Sequence, residues 1–306
     1  MRSLVMSMAL ALASAAAPVL VEAQAPAAAR DRAYWLALAG AKFAVPASED
    51  PGDILRASES LLSSPDATLR DDVAYGLAVA WVYRERRVDA ATLRGYASRL
   101  EQRMREGAGT AATDATLSRS FAALALSIVA AADTREPIFD EAQYRSVLDS
   151  ALRNLVGERD TRGYDPQVGW VHATAHTADL VKFLARSPRL ARADQARIIE
   201  AVVTRVETMP AVFAWGEDER LAASLRSVVV RGDADASALE AWLSRLPGQH
   251  EAVWAATPLS VPAYVRAQNA KLVLRALFVS LSAQPDLPPA VAAVRARVLA
   301  CLTQLG

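Results

Sequence analysis

The chain is expected to be all-α, an α/α superhelix of stacked antiparallel helix pairs of HEAT-like kind, and three observations lead there. After Arg30, apolar residues recur at three- and four-residue steps, and Ala, Leu and Arg dominate the periodic segments. Turn-forming residues punctuate this pattern at intervals that leave segments of ordinary helix length. No stretch alternates convincingly with the period of two that a strand requires. The segments come in pairs too small to bury their own apolar faces, so each must stack on its neighbours, giving about six pairs. A closed α/α toroid or an irregular helical bundle fits the same pattern.

Taken in order, Ser64-Pro65-Asp66 can cap a helix carrying Leu69, Val73, Leu77, Ala80 and Trp81, with a partner bearing Leu93, Tyr96, Leu100 and Met104. The stretch Pro65–Ala74 looks like the second half of a HEAT-type repeat, a Pro/Asp turn leading into a helix. Next come Leu117–Ala132 with Ile138–Leu155, then Trp170–Arg186 with Ala193–Met209. Gly157–Gly169 reads as a break, and Pro247–Pro262 as the longest interruption. In Trp215-Gly216-Glu217-Asp218-Glu219, three acids follow a glycine at a helix start, where the dipole favours them. Cys301 is the only cysteine and falls in an apolar C-terminal helix, so no intrachain disulfide can form and a buried inert thiol is expected.

The 306 residues are 53% hydrophobic with a formal net charge of zero. That suffices for a large core and argues against nucleic acid as a partner, since phosphate binding calls for a basic surplus. Residues 1–23 read as a secretory signal: Arg2, an apolar run from Leu4 to Leu20, and a small residue at Ala23. Cleavage after Ala25 fits the small-x-small rule as well. Ser14 and Pro18 interrupt the run, so no stable membrane span is expected after processing. The mature protein would be periplasmic or secreted, with 24–30 a flexible leader and 31–306 one helical-repeat domain.

One stretch concentrates the chemistry. Two of the three histidines, His172 and His176, stand four residues apart with Asp179 three further on. If the helix begins at Trp170, these three share one stripe. A Gly- and Pro-punctuated loop carrying Asp160, Arg162 and Asp165 precedes them. Imidazoles one turn apart can converge on one ion, and imidazole with carboxylate suits zinc, so His172, His176 and Asp179 form a candidate set for a divalent metal. His172 in a first turn would be kept neutral by the helix dipole. Arg162 could clamp an anion, and Glu217 or Asp218 could complete a mixed site. Ala173 occupies the place where a zincin helix carries its general-base glutamate, so that route to peptide hydrolysis is unsupported. The same stripe would equally serve as a satisfied polar network fixing helix register.

Leu69–Tyr75, Arg119–Leu124, Arg162–Asp179 and Gly216–Leu221 together resemble the successive signatures of a bacterial family catalogued as domain of unknown function family 2785. The resemblance extends over about residues 50–285, and its Gly-Trp-x-His-Ala-x-Ala-His-x-Ala-Asp portion is specific. It implies an all-helical HEAT-like fold with no established activity or cofactor. The family pattern falls on Asp160, Arg162, Gly163, Gly169, Trp170, His172, His176, Asp179, Glu217, Asp218 and Arg220. The expected function is therefore an exported helical-repeat protein whose polar pocket binds a small ligand or a divalent metal. A scaffold binding a protein or peptide along its groove, and a metal-assisted hydrolase, are the alternatives.

Overall fold

The computed structural model describes residues 30–107, 109 and 113–306. The export segment at 1–23 and the leader as far as residue 29 lie outside the described residues. Arg30, expected to close a flexible leader, is instead anchored: its Nε and Nη2 donate to the Glu49 carboxylate at 3.1 and 2.7 Å.

Short polar residues start many of the helices, as their chemistry requires. Asp31, Asp50, Asp89 and Asp140 each accept a backbone N–H at the starts of α1 (Arg32–Gly40), α2 (Pro51–Ser58), α4 (Ala90–Arg105) and α6 (Glu141–Gly157). A 3₁₀ turn, Glu59–Ser63, leads from α2 to the Pro/Asp turn, where Asp66 Oδ1 accepts the Thr68 N–H at 3.0 Å. Helix α3 runs over the predicted segment but is wound wider than an α-helix. Thr68–Tyr75 and Val79–Arg84 adopt π geometry, with Gly76–Ala78 in α geometry between them. Ile138 and Phe139 lie before α6 rather than in it, their N–H groups both donating to Asp133 Oδ1 at 2.8 Å.

The remaining elements are α5 (Ala115–Asp133), β1 (Tyr164–Asp165), β2 (Gly169–Trp170), α7 (Ala173–Leu184), α8 (Arg192–Thr208), α9 (Glu217–Val229), α10 (Ser237–Ala255), α11 (Val261–Ser282) and α12 (Pro289–Leu305). The protein is all-α apart from the two-residue strands, an antiparallel hairpin pairing Tyr164 with Trp170 and Asp165 with Gly169. Helices α5, α7, α9 and α11 pack on one another in sequence order, and so do α4, α6, α8, α10 and α12; the two rows press together along their length. One contiguous apolar cluster runs through both rows from Trp35 to Leu305. Helix α5 is long and apolar enough to cross a bilayer by length and composition, yet it is buried, with α3, α4 and α7 against it.

Two further sequence expectations are corrected. The helix expected from Trp170 begins at Ala173, because Gly169 (φ 76°) and the hairpin carry the chain in extended form to His172. The interruption expected at Pro247–Pro262 shrinks to 256–260, because α10 continues through Pro247 to Ala255. Proline has no N–H for the carbonyl four residues back. That carbonyl, on Leu243, instead faces the buried Cys301 thiol, with Sγ 3.6 Å away.

Candidate functional site

Arg70 builds the site from beneath. Its side chain is fully buried. Nη1 donates to the Ser64 carbonyl at 2.7 Å, and Nη2 to the carbonyls of Val168 (2.7 Å) and Trp170 (3.3 Å) and to Asp71 (3.0 Å). The guanidinium lies 4.6 Å from the centre of the Phe121 ring. One buried cation thus ties the hairpin to α3 and to the core. Gly169 permits this approach: a Cβ there would come within 3.1 Å of Ala67 Cβ and 3.4 Å of Arg70 Nη2.

The segment before the hairpin is fixed by a buried ion pair. Arg119 Nε donates to Glu158 at 2.9 Å, and Glu158 Oε1 accepts the N–H groups of Arg159 and Asp160, each at 2.9 Å. Arg205 donates to the Glu158 carbonyl at 2.6 Å and to Thr174 Oγ1 on α7. Asp160 then accepts from Arg162, both from its backbone N–H and from its guanidinium. Burial pushes the Asp160 carboxyl up, but these bonds and one from Thr116 outweigh it and hold the group below the usual range. Arg162, expected as an anion clamp, is committed to Asp160, to Asp165 at 3.1 Å and to the Thr113 carbonyl at 3.2 Å. Asp160 and Arg162 shape the loop.

His172 ends the hairpin in the left-handed region (φ 51°, ψ 31°), capping α7 rather than lying within it. That conformation is unfavourable for a residue with a Cβ and is found disproportionately at functional positions. Its ring is stacked on Trp170, with centroids 4.9 Å apart and planes at 22°. Its Nε2 lies 2.8 Å from the Trp215 carbonyl oxygen. A carbonyl only accepts, so Nε2 carries the hydrogen and the neutral ring leaves Nδ1 as a lone-pair acceptor.

The same reasoning fixes His176. Ser120 Oγ makes a short hydrogen bond to the Val171 carbonyl and lies 2.8 Å from His176 Nδ1. The hydroxyl has one hydrogen and the Val171 oxygen must receive it, so Nδ1–H donates to Ser120 and Nε2 is left bare. Burial, reinforced by the charges of His172, Arg220 and Arg70, holds His176 far below the ordinary imidazole range. Burial also lowers His172, more than its bond to the Trp215 carbonyl raises it. Both rings are thus neutral at pH 7 with opposite tautomers, and their centroids are 5.5 Å apart. Ser120, buried and with its proton committed to a carbonyl, is not set up as a nucleophile.

Asp179 does not touch either ring. Its Oδ1 pairs with Lys182 at 2.5 Å and its Oδ2 makes a short ion pair with Arg220 of α9. The predicted stripe of three therefore divides into an imidazole pair and a separate ion-pair cluster. Tyr75 on α3 lies within electrostatic reach of Asp179 and Arg220 and, mainly by burial, is raised above the ordinary phenol range. Nearby on α3, burial and Asp72 push the Asp71 carboxyl up to about 6 against the opposing pull of Arg70. Glu217 accepts the Trp215 N–H at 2.9 Å and is buried in the first turn of α9. It holds the segment whose carbonyl receives His172. Asp218 is half-buried and makes no side-chain hydrogen bond with a described residue. No group of three or more His, Cys, Asp or Glu side chains able to hold a metal ion occurs among the described residues.

An aromatic wall that the sequence did not disclose stands against the His172 ring. Tyr164, Trp170 and Trp215 are 47%, 39% and 47% exposed, yet they contact one another with centroids 5.2–6.3 Å apart. Trp215 packs directly on Gly163, where an added Cβ would lie 2.1 Å from the indole Cγ. The arrangement offers aromatic surface to solvent with the His172 ring against it and His176 buried behind, edge-on to Phe121 at 4.8 Å, while the neighbouring carboxylates of Asp160, Asp165 and Asp179 are already matched by cations.

Compared with known proteins, residues 106–279, more than half of the chain, match the model of a family described as "Protein of unknown function (DUF2785)". The match starts later than the expected similarity from about residue 50, so Arg70 and α3 lie outside it. No curated protein and no solved structure matches the chain.

Proposed function

This chain belongs to the DUF2785 family, and with that as premise we propose that it is a ligand-binding helical-repeat protein. Its site is the Tyr164–Trp170–Trp215 wall with His172 and His176 beside it. The favoured ligand class is a small uncharged molecule rich in hydroxyl groups, a polyol or carbohydrate. A single observation carries the reading: two contacting neutral imidazoles whose tautomers each leave one bare nitrogen, with the His172 ring stacked on the part-exposed Trp170 indole. Bare nitrogens require a donor, and hydroxyls supply it. Exposed indole and phenol rings suit ligands with an apolar face and a polar edge. Asp160, Asp165 and Asp179 are already matched by cations, and the remaining acids nearby, Glu217 and Asp218, disfavour an anionic ligand.

The order of helix contacts, each row stacking in sequence, supports a HEAT-like superhelix as the scaffold. Export to the periplasm or exterior is part of the proposal and draws only on the N-terminal residues of the sequence.

The test is an NMR-observed screen of the full chain against neutral polyols and sugars, aromatic carboxylates and primary amines, reading the indole N–H signals of Trp170 and Trp215. Saturable shifts from the hydroxyl-bearing class, absent in folded His172→Ala, support the proposal. Its alternative is that the imidazoles form a purely structural network. Silence across all three classes, together with unfolding of His172→Ala and of His176→Ala, would favour that scaffold reading instead.

A further inference from the structure

A second hollow, sharing no residue with the histidine site, lies between α10 and α11 and is closed by the end of α12. It has a volume of about 270 Å³. Its walls are apolar, from Leu246 and Val253 of α10, Ala263, Ala267 and Ala270 of α11, and Leu305 of α12. Pocket-sized apolar space with a few polar groups at the margin is the usual form of a small-molecule site.

The polar groups at its margin differ in what they already hold. Glu207 accepts from Arg245 at 2.9 Å. His250 Nε2 accepts the Trp254 indole N–H at 3.0 Å, and burial together with the charge of Lys271 lowers that imidazole. Lys271 itself donates to the Leu305 carbonyl at 3.1 Å. Arg266, exposed and one of the lining residues, has no hydrogen-bond or ion-pair partner among the described residues. The one unmatched charge on an apolar chamber is therefore positive, and a guanidinium is well shaped to take a carboxylate through two parallel bonds.

We propose that this chamber binds an amphipathic monocarboxylate, with its apolar chain or ring between α10 and α11 and its acid group on Arg266. Trp254, 59% exposed and bonded to the lining His250, is a natural reporter. The probe is octanoate, titrated into the full chain while tryptophan emission is recorded, with Trp254→Phe identifying the responding indole. Saturable binding is expected, weakened at least tenfold in Arg266→Gln and abolished in Ala267→Trp, which fills the chamber. Should Ala267→Trp not fold, Ala263→Leu gives the same obstruction with a smaller side chain. Octan-1-ol is expected to bind at least tenfold more weakly than octanoate. The proposal is overturned by absence of saturable octanoate binding, by equal affinity for the alcohol, or by binding that neither Arg266→Gln nor the filling variants disturb.

Discussion

Replacing Arg70 with methionine removes the group that fastens the hairpin, and the size of the effect can be worked from its contacts. Methionine keeps an unbranched apolar stem against Phe121 but donates nothing. The carbonyls of Ser64, Val168 and Trp170, accepting at 2.7, 2.7 and 3.3 Å, all lose a charged donor. Each charge-assisted bond of this kind contributes about 1.5–3 kcal/mol. The sum is offset because the variant no longer buries a guanidinium, whose dehydration costs several kcal/mol. Asp71 loses its cation at the same time and, already raised to about 6, would take up a proton more readily. Removing one member of a buried charged set typically costs about 3–5 kcal/mol, and that is the expected net loss for Arg70→Met. Urea unfolding followed by far-UV circular dichroism measures it, and hydrogen exchange at the Gly169–His172 amides reports whether the hairpin has come loose. A loss under about 1 kcal/mol with hairpin protection unchanged would show that Arg70 is not the fastener and refute the reasoning.

Gly163→Ala drives a methyl into the Trp215 ring, which must swing away and take its carbonyl from His172. Overpacking of this kind costs about 1–3 kcal/mol, and the Trp215 emission spectrum is expected to shift; an unchanged spectrum and midpoint would rule out the close approach. Acid sensitivity follows from His172 and His176, because both buried rings have folded-state values below that of the unfolded chain. Stability is therefore complete above about pH 6.5, and as pH falls below that value the unfolded chain binds protons that the folded chain refuses, at up to about 1.4 kcal/mol per pH unit for each group. Asp71 acts in the opposite sense, since a carboxyl raised to about 6 is protonated earlier in the folded state and regains stability as pH drops. In an Asp71→Asn background the urea midpoint should fall between pH 7 and 5.5, and a flat or rising midpoint would contradict neutral buried imidazoles.

Much of the fold is legible in periodicity, because helix faces and turn residues are local signals; Asp66 caps the helix its turn predicts, and Asp89, the end of a predicted break, caps the next. Apart from the local shift of the α6 start past Ile138 and Phe139, the differences fall where a distant group changes a local outcome. Pro247 reads as a break, but Cys301, 54 positions on, faces the carbonyl that proline leaves unpaired. Trp170 reads as helical, but Arg70, 100 positions earlier, holds its carbonyl in the hairpin. In the site, the location around His172 and His176 was legible from spacing. The roles were less so, since Asp179 sits on the right stretch of helix and is nevertheless claimed by Arg220 and Lys182. Ser120, Trp215 and Arg70 were invisible as contributors because only the tertiary arrangement brings them together. Ser120 and Arg70 did lie in stretches that resembled the family, which was the available hint.

Two neutral imidazoles turned in opposite tautomers define the proposed site, and long-range ¹H–¹⁵N NMR of the histidine rings in the full chain at pH 7 examines this directly. His172 protonated at Nε2 alone and His176 protonated at Nδ1 alone is the expected result, with His176 reversing or blurring its preference in Ser120→Ala. A doubly protonated ring at either position, or the reverse tautomer in the unmodified protein, would contradict it.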